Sequence, residues 1–197
     1  MPKQMRVMYD TEFLERPGGA IAPISIGMER EDGLQYYAVY QDMPTLEIAR
    51  NSWLMNNVMS SIDHVPFISH TTGDGTLVQD FYLTDETAKP QSVIRQDILA
   101  FTVDIWPEWW AWYGAYDHVV LSQTFGRMID LPGKFPMLTH DLKSYHKRLG
   151  LPDLPVQPEG LHNALEDAKF NWVKYRALKE IEAKNQSEYL KRILDKT

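Results

Sequence analysis

The amino-acid sequence predicts a mixed α/β protein whose central sheet begins with three antiparallel strands and continues with parallel strands, flanked by helices. Two observations carry this prediction. The first three apolar segments follow one another closely, as the strands of hairpins do, and the later apolar segments alternate with helical patterns. The first strand is therefore expected at the centre of the sheet, antiparallel to the second strand and parallel to the later ones.

The N-terminal part of the chain supplies the hairpins. The predicted strands are residues 5–14, 21–29 and 34–40. The sequence Glu-Asp-Gly at 31–33 is a tight-turn signal between the second and third strands. Residues 44–62 begin at Pro44 and carry apolar residues at helical spacings, which predicts one helix. Residues 63–91 lose any clear period, and a stretch of this length is typical of a functional flap or a disordered insert.

The C-terminal part of the chain alternates between helical and strand patterns. The predicted elements are a helix at 92–104, a strand at 108–116, a helix at 116–126, a strand at 136–142, a helix ending at Gly150 and a helix at 161–183. The segment 108–116 is almost entirely apolar, which is typical of a strand buried on both faces. Residues 184–197 are expected to form an amphipathic C-terminal extension. With 197 residues, we expect a single domain spanning 1–197.

Composition narrows the class of protein. The absence of cysteine excludes disulfides and thiolate metal sites, and it favours a reducing compartment. The N-terminal residues lack the apolar core of a signal peptide. No apolar run approaches the roughly 18 residues that a membrane-spanning helix requires. We therefore expect a cytoplasmic protein with no membrane partner.

The net charge of −7 is distributed unevenly along the chain. Residues 169–197 contain eight Lys and Arg against four Asp and Glu, whereas residues 1–168 contain 12 basic and 23 acidic residues. A protein whose residues 1–168 carry this net negative charge is not expected to bind a polyanion over its whole surface. A nucleic-acid ligand remains compatible with it if bound cations invert the local field. The basic segment either guides a polyanion or forms a solvated helical face.

Two carboxylates interrupt the first predicted strand. Asp10 and Glu12 are two residues apart, so they point to the same face of the strand, with Cα atoms roughly 6.5–7 Å apart. On an exposed edge they would simply be solvated. If they are buried, a divalent cation would relieve both their repulsion and the cost of desolvation, because carboxylate oxygens are suitable ligands for Mg²⁺ and Mn²⁺.

Three further polar residues follow predicted strand and helix ends. Asp117 falls in the first turn of the helix after the apolar strand, the usual site position in open α/β sheets, although it could merely complement that helix N-terminus. His162 and Asp167 are five residues apart, so they do not share a face if both are helical. If His162 lies at or before the helix start, both side chains can reach one site, and Gly160 makes that turn flexible. A surface histidine with an exposed aspartate is the alternative.

The segments YDTEF, GAYDHV and HNALEDA, in this order and at these distances, resemble the three motifs of the DEDDh 3′–5′ exonucleases. Asn163 occupies the position at which the sister class has a tyrosine, so the histidine version is favoured. Longer segments, including MYDTEFLE, ISIGMEREDGLQYYAV and WAWYGAYDHVVL, are similar to the bacterial exoribonuclease AS family, which prefers adenylate-rich RNA 3′ ends. The similarity covers most of residues 5–178 and is thin between 60 and 92.

The resemblance implies an RNase H-like fold, a set of catalytic residues and two bound Mg²⁺ or Mn²⁺ ions. The four acids and the histidine of that family match Asp10, Glu12, Asp117, Asp167 and His162. One ion would be held by Asp10, Glu12 and Asp167, and the second by Asp10, with Asp117 acting through water. His162 would be the general base, because histidine can accept a proton near neutral pH.

The resemblance also implies a substrate and an assembly. The substrate would be the 3′ end of single-stranded RNA, adenylate-rich in the family, and the protein would be a homodimer. Thr11 and Phe13 are candidate contacts to the terminal nucleotide, with the Phe13 side chain expected on the strand face opposite the acids. His118 is a candidate phosphate contact or a structural residue. A DNA 3′–5′ exonuclease and a non-catalytic binding module of the same fold are the rival hypotheses.

Overall fold

A six-stranded mixed sheet forms the centre of the computed structural model, which describes residues 2–18 and 21–195. The strands are β1 (Lys3–Leu14), β2 (Ala22–Arg30), β3 (Gln35–Tyr40), β4 (His64–Thr71), β5 (Leu77–Leu83), β6 (Ala88–Lys89), β7 (Ile105–Ala111) and β8 (His140–Asp141). The sheet order is β6-β3-β2-β1-β7-β8, and β4 and β5 form a separate hairpin. Because β1 is antiparallel to β2 and parallel to β7, the predicted mixed α/β fold with a central first strand is confirmed.

Helices cover both faces of the sheet. They are α1 (Thr45–Ala49), α2 (Ser52–Asn57), α3 (Gln91–Phe101), α4 (Ala115–Phe125), α5 (Leu142–Arg148) and α6 (Ala164–Leu194), with 3₁₀ turns at Met59–Ser61 and Met128–Asp130. Helices α3 and α4 pack on one face, and α5 and α6 pack on the other. None of these helices in the described parts of the chain is long and apolar enough to cross a membrane.

The alternation of side chains along β1 decides which residues face each helical layer. Val7 and Tyr9 are fully buried in the core formed with α3 and α4, whereas Met8 is buried against α5 and α6. Since successive side chains of a strand point to opposite faces, Asp10 and Glu12 continue the Met8 side, toward α6.

The prediction that residues 44–62 form one continuous helix is wrong. The chain forms α1, α2 and a 3₁₀ turn there, and the interruption lies at Asn51. Asn51 is extended, and its side-chain oxygen accepts a hydrogen bond from the Leu54 backbone N–H (3.1 Å), so it starts a new helix.

The segment 63–91, predicted as a flap or a disordered insert, contains the β4–β5 hairpin and the short β6. The pairing register shifts between Val65 and Ile68, where Phe67 adopts a left-handed conformation (φ 52°). This irregularity interrupts the alternation of side chains, which explains why the sequence showed no period. Phe81 of β5 is buried against β2, β3 and the first two helices, and it anchors the hairpin.

The prediction that 108–116 is a strand buried on both faces is wrong in extent and burial. The strand is Ile105–Ala111, its burial alternates, and Trp106 is exposed. Strand β8 pairs only with Trp110 and Ala111, so the first half of β7 has no neighbour on that side within the described residues.

The last helix starts later and runs further than predicted. It begins at Ala164 because the Asn163 side chain accepts hydrogen bonds from the backbone N–H groups of Leu165 and Glu166 (3.1 and 3.2 Å). It continues unbroken to Leu194, since no Gly or Pro interrupts it. Leu161, which the prediction included in the helix, lies before its start and is exposed. The predicted extension 184–197 continues α6 as far as Leu194, and residues 196 and 197 lie outside the described residues.

The α6 N-terminus crosses the sheet directly over Gly27. Gly27 lies opposite Asp10 in the β1–β2 pair. A Cβ atom at this position would approach backbone atoms of Ala164 and Leu165 to less than 3.0 Å, and backbone cannot move aside as a flexible side chain can. The absence of a side chain at Gly27 therefore allows α6 to start beside the two carboxylates of β1.

Replacing Gly27 by Ala is expected to lower the free energy of unfolding by ~1–3 kcal/mol or more, because overpacking forces the backbone to shift. Urea denaturation followed by circular dichroism measures this change. Gly73→Ala is the matched control, since a Cβ atom at Gly73 would meet nothing within 4 Å. Equal stability of the two variants would contradict the close-packing role of Gly27.

Candidate active site

All five residues predicted to be catalytic line one cavity of about 490 Å³ near the carboxyl ends of β1 and β7. They are Asp10, Glu12, Asp117, His162 and Asp167. The structure thus brings together side chains from β1, from the start of α4 and from the start of α6. The carboxyl ends of sheet strands are the usual location of sites in open α/β folds.

The two helical acids are positioned in the same way. Asp117 lies in the first turn of α4 and Asp167 in the first turn of α6, where the positive end of the helix dipole favours a carboxylate. Each helix is preceded by a residue in the left-handed region, Tyr113 (φ 60°) and His162 (φ 63°). Non-glycine residues adopt this conformation rarely, and such residues are concentrated at functional sites.

His162 precedes the helix, which is the condition under which it and Asp167 can reach one site. The backbone N–H of Asn163 donates to the Gly160 carbonyl (3.2 Å) and closes a turn around His162. The backbone N–H of His162 in turn donates to Asp167 Oδ2 (2.9 Å), so the turn and the carboxylate fix each other.

Backbone and side-chain hydrogen bonds also hold the third acid. The backbone N–H and the hydroxyl of Thr11 both donate to Asp117 Oδ1, at 2.9 and 2.7 Å. Thr11 is buried, although it also lines the cavity. The hydroxyl of this predicted substrate contact is therefore used to orient Asp117.

Three of the residues offer potential metal ligands close to one another. One ligand atom from each of Glu12, His162 and Asp167 can be chosen so that all lie within 4.8 Å of one another. His162 Nδ1 lies 4.0 Å from Glu12 Oε1. This arrangement has the donor chemistry of a divalent-cation site, which oxygen and imidazole ligands both suit.

The carboxylates destabilise one another in the charged form. Burial, together with the charges of Asp167 and Asp117, raises the pKa of Glu12 from 4.5 to about 8. Burial raises the pKa of Asp117 to about 7, although the hydrogen bonds from Thr11 oppose this shift. Burial and the charges of the other three acids raise the pKa of Asp10 well above 3.8, and burial also raises the pKa of Asp167. A bound cation would remove this repulsion.

The Phe13 side chain lies on the α4 side of β1, the face opposite the acids, as predicted. Phe13 lines the same cavity as Asp10 and Glu12, and its ring stacks on that of Tyr116, with centroids 5.5 Å apart. Tyr116 belongs to α4, which packs on the β1 face of Tyr9, so Phe13 follows the alternation of the strand, and the cavity at the strand end reaches residues of both faces.

His118, a predicted phosphate contact, lies away from the acids. It borders a different cavity with Tyr113, Gly114 and Thr139, and its Nδ1 is 3.0 Å from the Thr139 hydroxyl. Successive residues of a helix point in different directions, so a histidine directly after Asp117 cannot share its orientation.

Sequence reasoning missed several residues at the cavity. Asn171 and Lys174 line it four and seven residues after Asp167, so helical periodicity counted from Asp167 would have found them. Trp53 packs edge-on against the His162 ring, with centroids 4.9 Å apart, and half of its surface is exposed. No local signal connects Trp53 to His162, because α2 reaches this position only through the tertiary fold.

In the absence of divalent metal, protein stability is expected to fall as the pH rises. A carboxyl group with a higher pKa in the folded than in the unfolded chain stabilises the folded state below its unfolded pKa, and this contribution is lost as the pH rises through the folded pKa. The window therefore runs from the ordinary values of 4.5 and 3.8 to about 8 for Glu12 and about 7 for Asp117.

Thermal unfolding in EDTA at several pH values across this window measures the effect. Glu12→Gln removes one charge, so its melting temperature should depend less on pH than that of the wild type. A Glu12→Gln curve as steep as the wild-type curve would refute the mutual repulsion of these carboxylates.

Comparison with known proteins identifies relatives of the chain, although no family model matches it. Over 179 residues the chain is 33% identical to a protein named 3′–5′ exoribonuclease in Mycobacterium tuberculosis strain CDC 1551 / Oshkosh. It is equally similar to the protein of that name in strain H37Rv. The alignments cover 88% of this chain and 93% of each relative. With its cavity of four carboxylates and a histidine, the chain therefore belongs to the family of these mycobacterial 3′–5′ exoribonucleases.

Proposed function

We propose that this protein is a divalent-metal-dependent 3′–5′ exoribonuclease that releases nucleoside 5′-monophosphates from the 3′ end of single-stranded RNA. The observation that carries the proposal is the convergence of Asp10, Glu12, Asp117, Asp167 and His162 in one cavity. The names of the two mycobacterial relatives support the reaction and the substrate class. The order of the motifs supports assignment to the DEDDh group, with an adenylate preference as in the family that it resembles.

The donor set suits two Mg²⁺ or Mn²⁺ ions. Four carboxylates share the cavity, and the raised pKa values of Glu12 and Asp117 reflect burial of negative charge without an adjacent ion-paired cation. Asp10, Glu12 and Asp167 would hold one ion, and Asp10 with Asp117 would hold the other. Bound in this way, a metal pair supplies charge stabilisation of the phosphate and of the attacking and leaving oxygens.

The side chains of the protein supply orientation and proton transfer. His162 is a partly exposed side chain at the cavity, with Glu12 4.0 Å from its Nδ1, so it can accept the proton of the attacking water. The turn at Gly160–Asn163 and the His162 N–H bond to Asp167 hold the base next to the acids. Phe13 and Tyr116, stacked at the cavity wall, offer an aromatic surface to the terminal nucleoside.

The proposed activity predicts a metal-dependent ladder. Wild-type protein with Mg²⁺ or Mn²⁺ should shorten 5′-labelled, adenylate-rich RNA one nucleotide at a time, and EDTA or Asp10→Asn should abolish the shortening. Gel analysis of the labelled products measures it. Glu180→Gln, an exposed acid of α6 that does not line the cavity, is the matched control and should remain active.

The rival hypotheses give different patterns in the same experiment. Equal shortening of DNA of the same sequence would replace the RNA-specific proposal with a DNA-competent exonuclease. Binding of RNA without any shortening in the presence of metal would indicate a non-catalytic binding module.

Replacing His162 by Ala is expected to lower kcat by roughly 10²–10⁴-fold, the usual contribution of a general base, with little change in metal affinity. Single-turnover cleavage and calorimetric titration with Mn²⁺ separate the two effects. If His162→Ala abolished Mn²⁺ binding, His162 would be a ligand and its assignment as general base would be wrong.

A further inference from the structure

Two lysines converge on one aromatic side chain at the rim of the cavity. Lys174 Nζ lies 4.5 Å from the centre of the Trp112 ring, and Lys143 Nζ lies 5.0 Å from it. Lys143 also lies 5.8 Å from the Tyr113 ring. We call Trp112, Tyr113, Lys143 and Lys174 the Trp112 platform. Three of these residues, all but Lys143, line the cavity that holds the carboxylates.

Neither ammonium group of the Trp112 platform makes a direct ion pair with a described residue. No carboxylate oxygen of the described residues lies within 4.0 Å of either group, and the hydrogen-bond acceptor of Lys174 is the Asn171 side-chain oxygen (3.2 Å). Neighbouring lysines of α6 behave differently, since Lys169 pairs with Glu166 (2.7 Å) and Lys179 pairs with Glu182 (2.6 Å). Two like charges held on one aromatic ring without a direct ion pair are available to contact an anion.

Lys174 lies two helical turns after Asp167 on α6. Asp167 and Lys174 are seven residues apart, so they share one face of the helix and lie about 10 Å apart along its axis. The ammonium group lines the same cavity as the acids and lies over the Trp112 ring, so it stands at the cavity wall beside the acidic centre. Among the described residues that line this cavity, Lys174 is the one lysine or arginine.

A strand whose 3′ end lies among the acids must leave the cavity over the protein surface. Residues 1–168 carry an excess of 11 negative charges, which repels the phosphates of that strand. Cationic groups interleaved with aromatic rings are the arrangement with which proteins hold single-stranded nucleic acid, because the cations neutralise phosphates and the rings stack on bases. The half-exposed Tyr113 ring, set by a left-handed backbone, is available for such stacking.

We propose that the Trp112 platform binds the RNA strand upstream of the scissile bond, with Lys143 and Lys174 contacting a backbone phosphate there. This inference rests on the proposed exonuclease function and adds the path of the substrate strand. It assigns phosphate binding to Lys143 and Lys174 rather than to the basic residues of α6 that follow Lys174.

Charge-removing variants of similar length test the platform. Lys143→Met and Lys174→Met are compared with Lys147→Met on α5 and Lys179→Met on α6, which do not belong to the platform. The substrates are adenylate dinucleotide, which has the scissile phosphate alone, and a hexanucleotide. For each platform variant, the ratio of kcat/KM on the hexanucleotide to that on the dinucleotide should fall about tenfold, the effect of losing one hydrogen bond to a charged group.

Salt dependence provides a readout that a structural role would not change. The slope of log Kd against log salt concentration for the hexanucleotide should become shallower by about 0.7 for each lysine removed, as for one phosphate contact on a single strand. Lys143→Arg and Lys174→Arg should restore the slope. Thermal melts establish that the variants are folded, and Lys174→Gln replaces Lys174→Met if the latter is unstable.

The outcomes separate the two proposals. An active wild type whose platform variants keep the length ratio and the salt slope would overturn the platform and leave the exonuclease proposal standing. An equal loss on both substrates would also overturn it, because it would place the lysines at the scissile phosphate. A wild type inactive on both substrates would refute the exonuclease function itself.

Discussion

The contact between the start of α6 and the backbone of β2 at Gly27 is the constraint on which the site depends. Gly27 lies opposite Asp10, and the missing side chain lets Ala164 and Leu165 pack directly onto the strand. This contact sets the height of α6 over the sheet. It places Asp167 and the preceding turn beside the carboxylates of β1, so a packing requirement in the fold becomes a geometric requirement of the site.

The same geometry carries an electrostatic cost. Four carboxylates share a partly buried cavity; burial with mutual repulsion raises the pKa values of Asp10 and Glu12, and burial raises that of Asp117. The protein offsets part of this cost locally, through the N-termini of α4 and α6 and through the hydrogen bonds from Thr11 and His162. Binding of a cation would relieve the remaining repulsion between the carboxylates. We therefore expect cation binding both to stabilise the folded protein and to support its activity.

The backbone is strained at one residue before each of the two helices that carry a cavity acid. Tyr113 and His162 both adopt left-handed conformations immediately before a helix that carries an acid in its first turn. Each such residue costs of order 1–3 kcal/mol, which the surrounding packing must offset. At His162, the conformation lets a residue five positions before Asp167 face the same cavity. At Tyr113, it turns an aromatic ring to the cavity rim, where Lys143 lies 5.8 Å from the ring centre.

The sequence by itself determined the class of fold, because strand periodicity and hairpin signals are local properties, and the resemblance of its three motifs to a known family identified the five cavity residues. The sequence placed the acids of β1 on one face, and it showed that His162 and Asp167 could meet only if His162 preceded the helix. The tertiary structure alone decided the stacking of Phe13 on Tyr116, the separation of His118 from the acids, the ordered hairpin at 63–91 and the approach of Trp53 and Lys143 to the site. These features depend on a register shift, on strained backbone and on contacts between segments distant in the chain. Such interactions produce no repeating pattern in the sequence. Each involves a single residue, and its contact partner is fixed only when the sheet and the helices pack together.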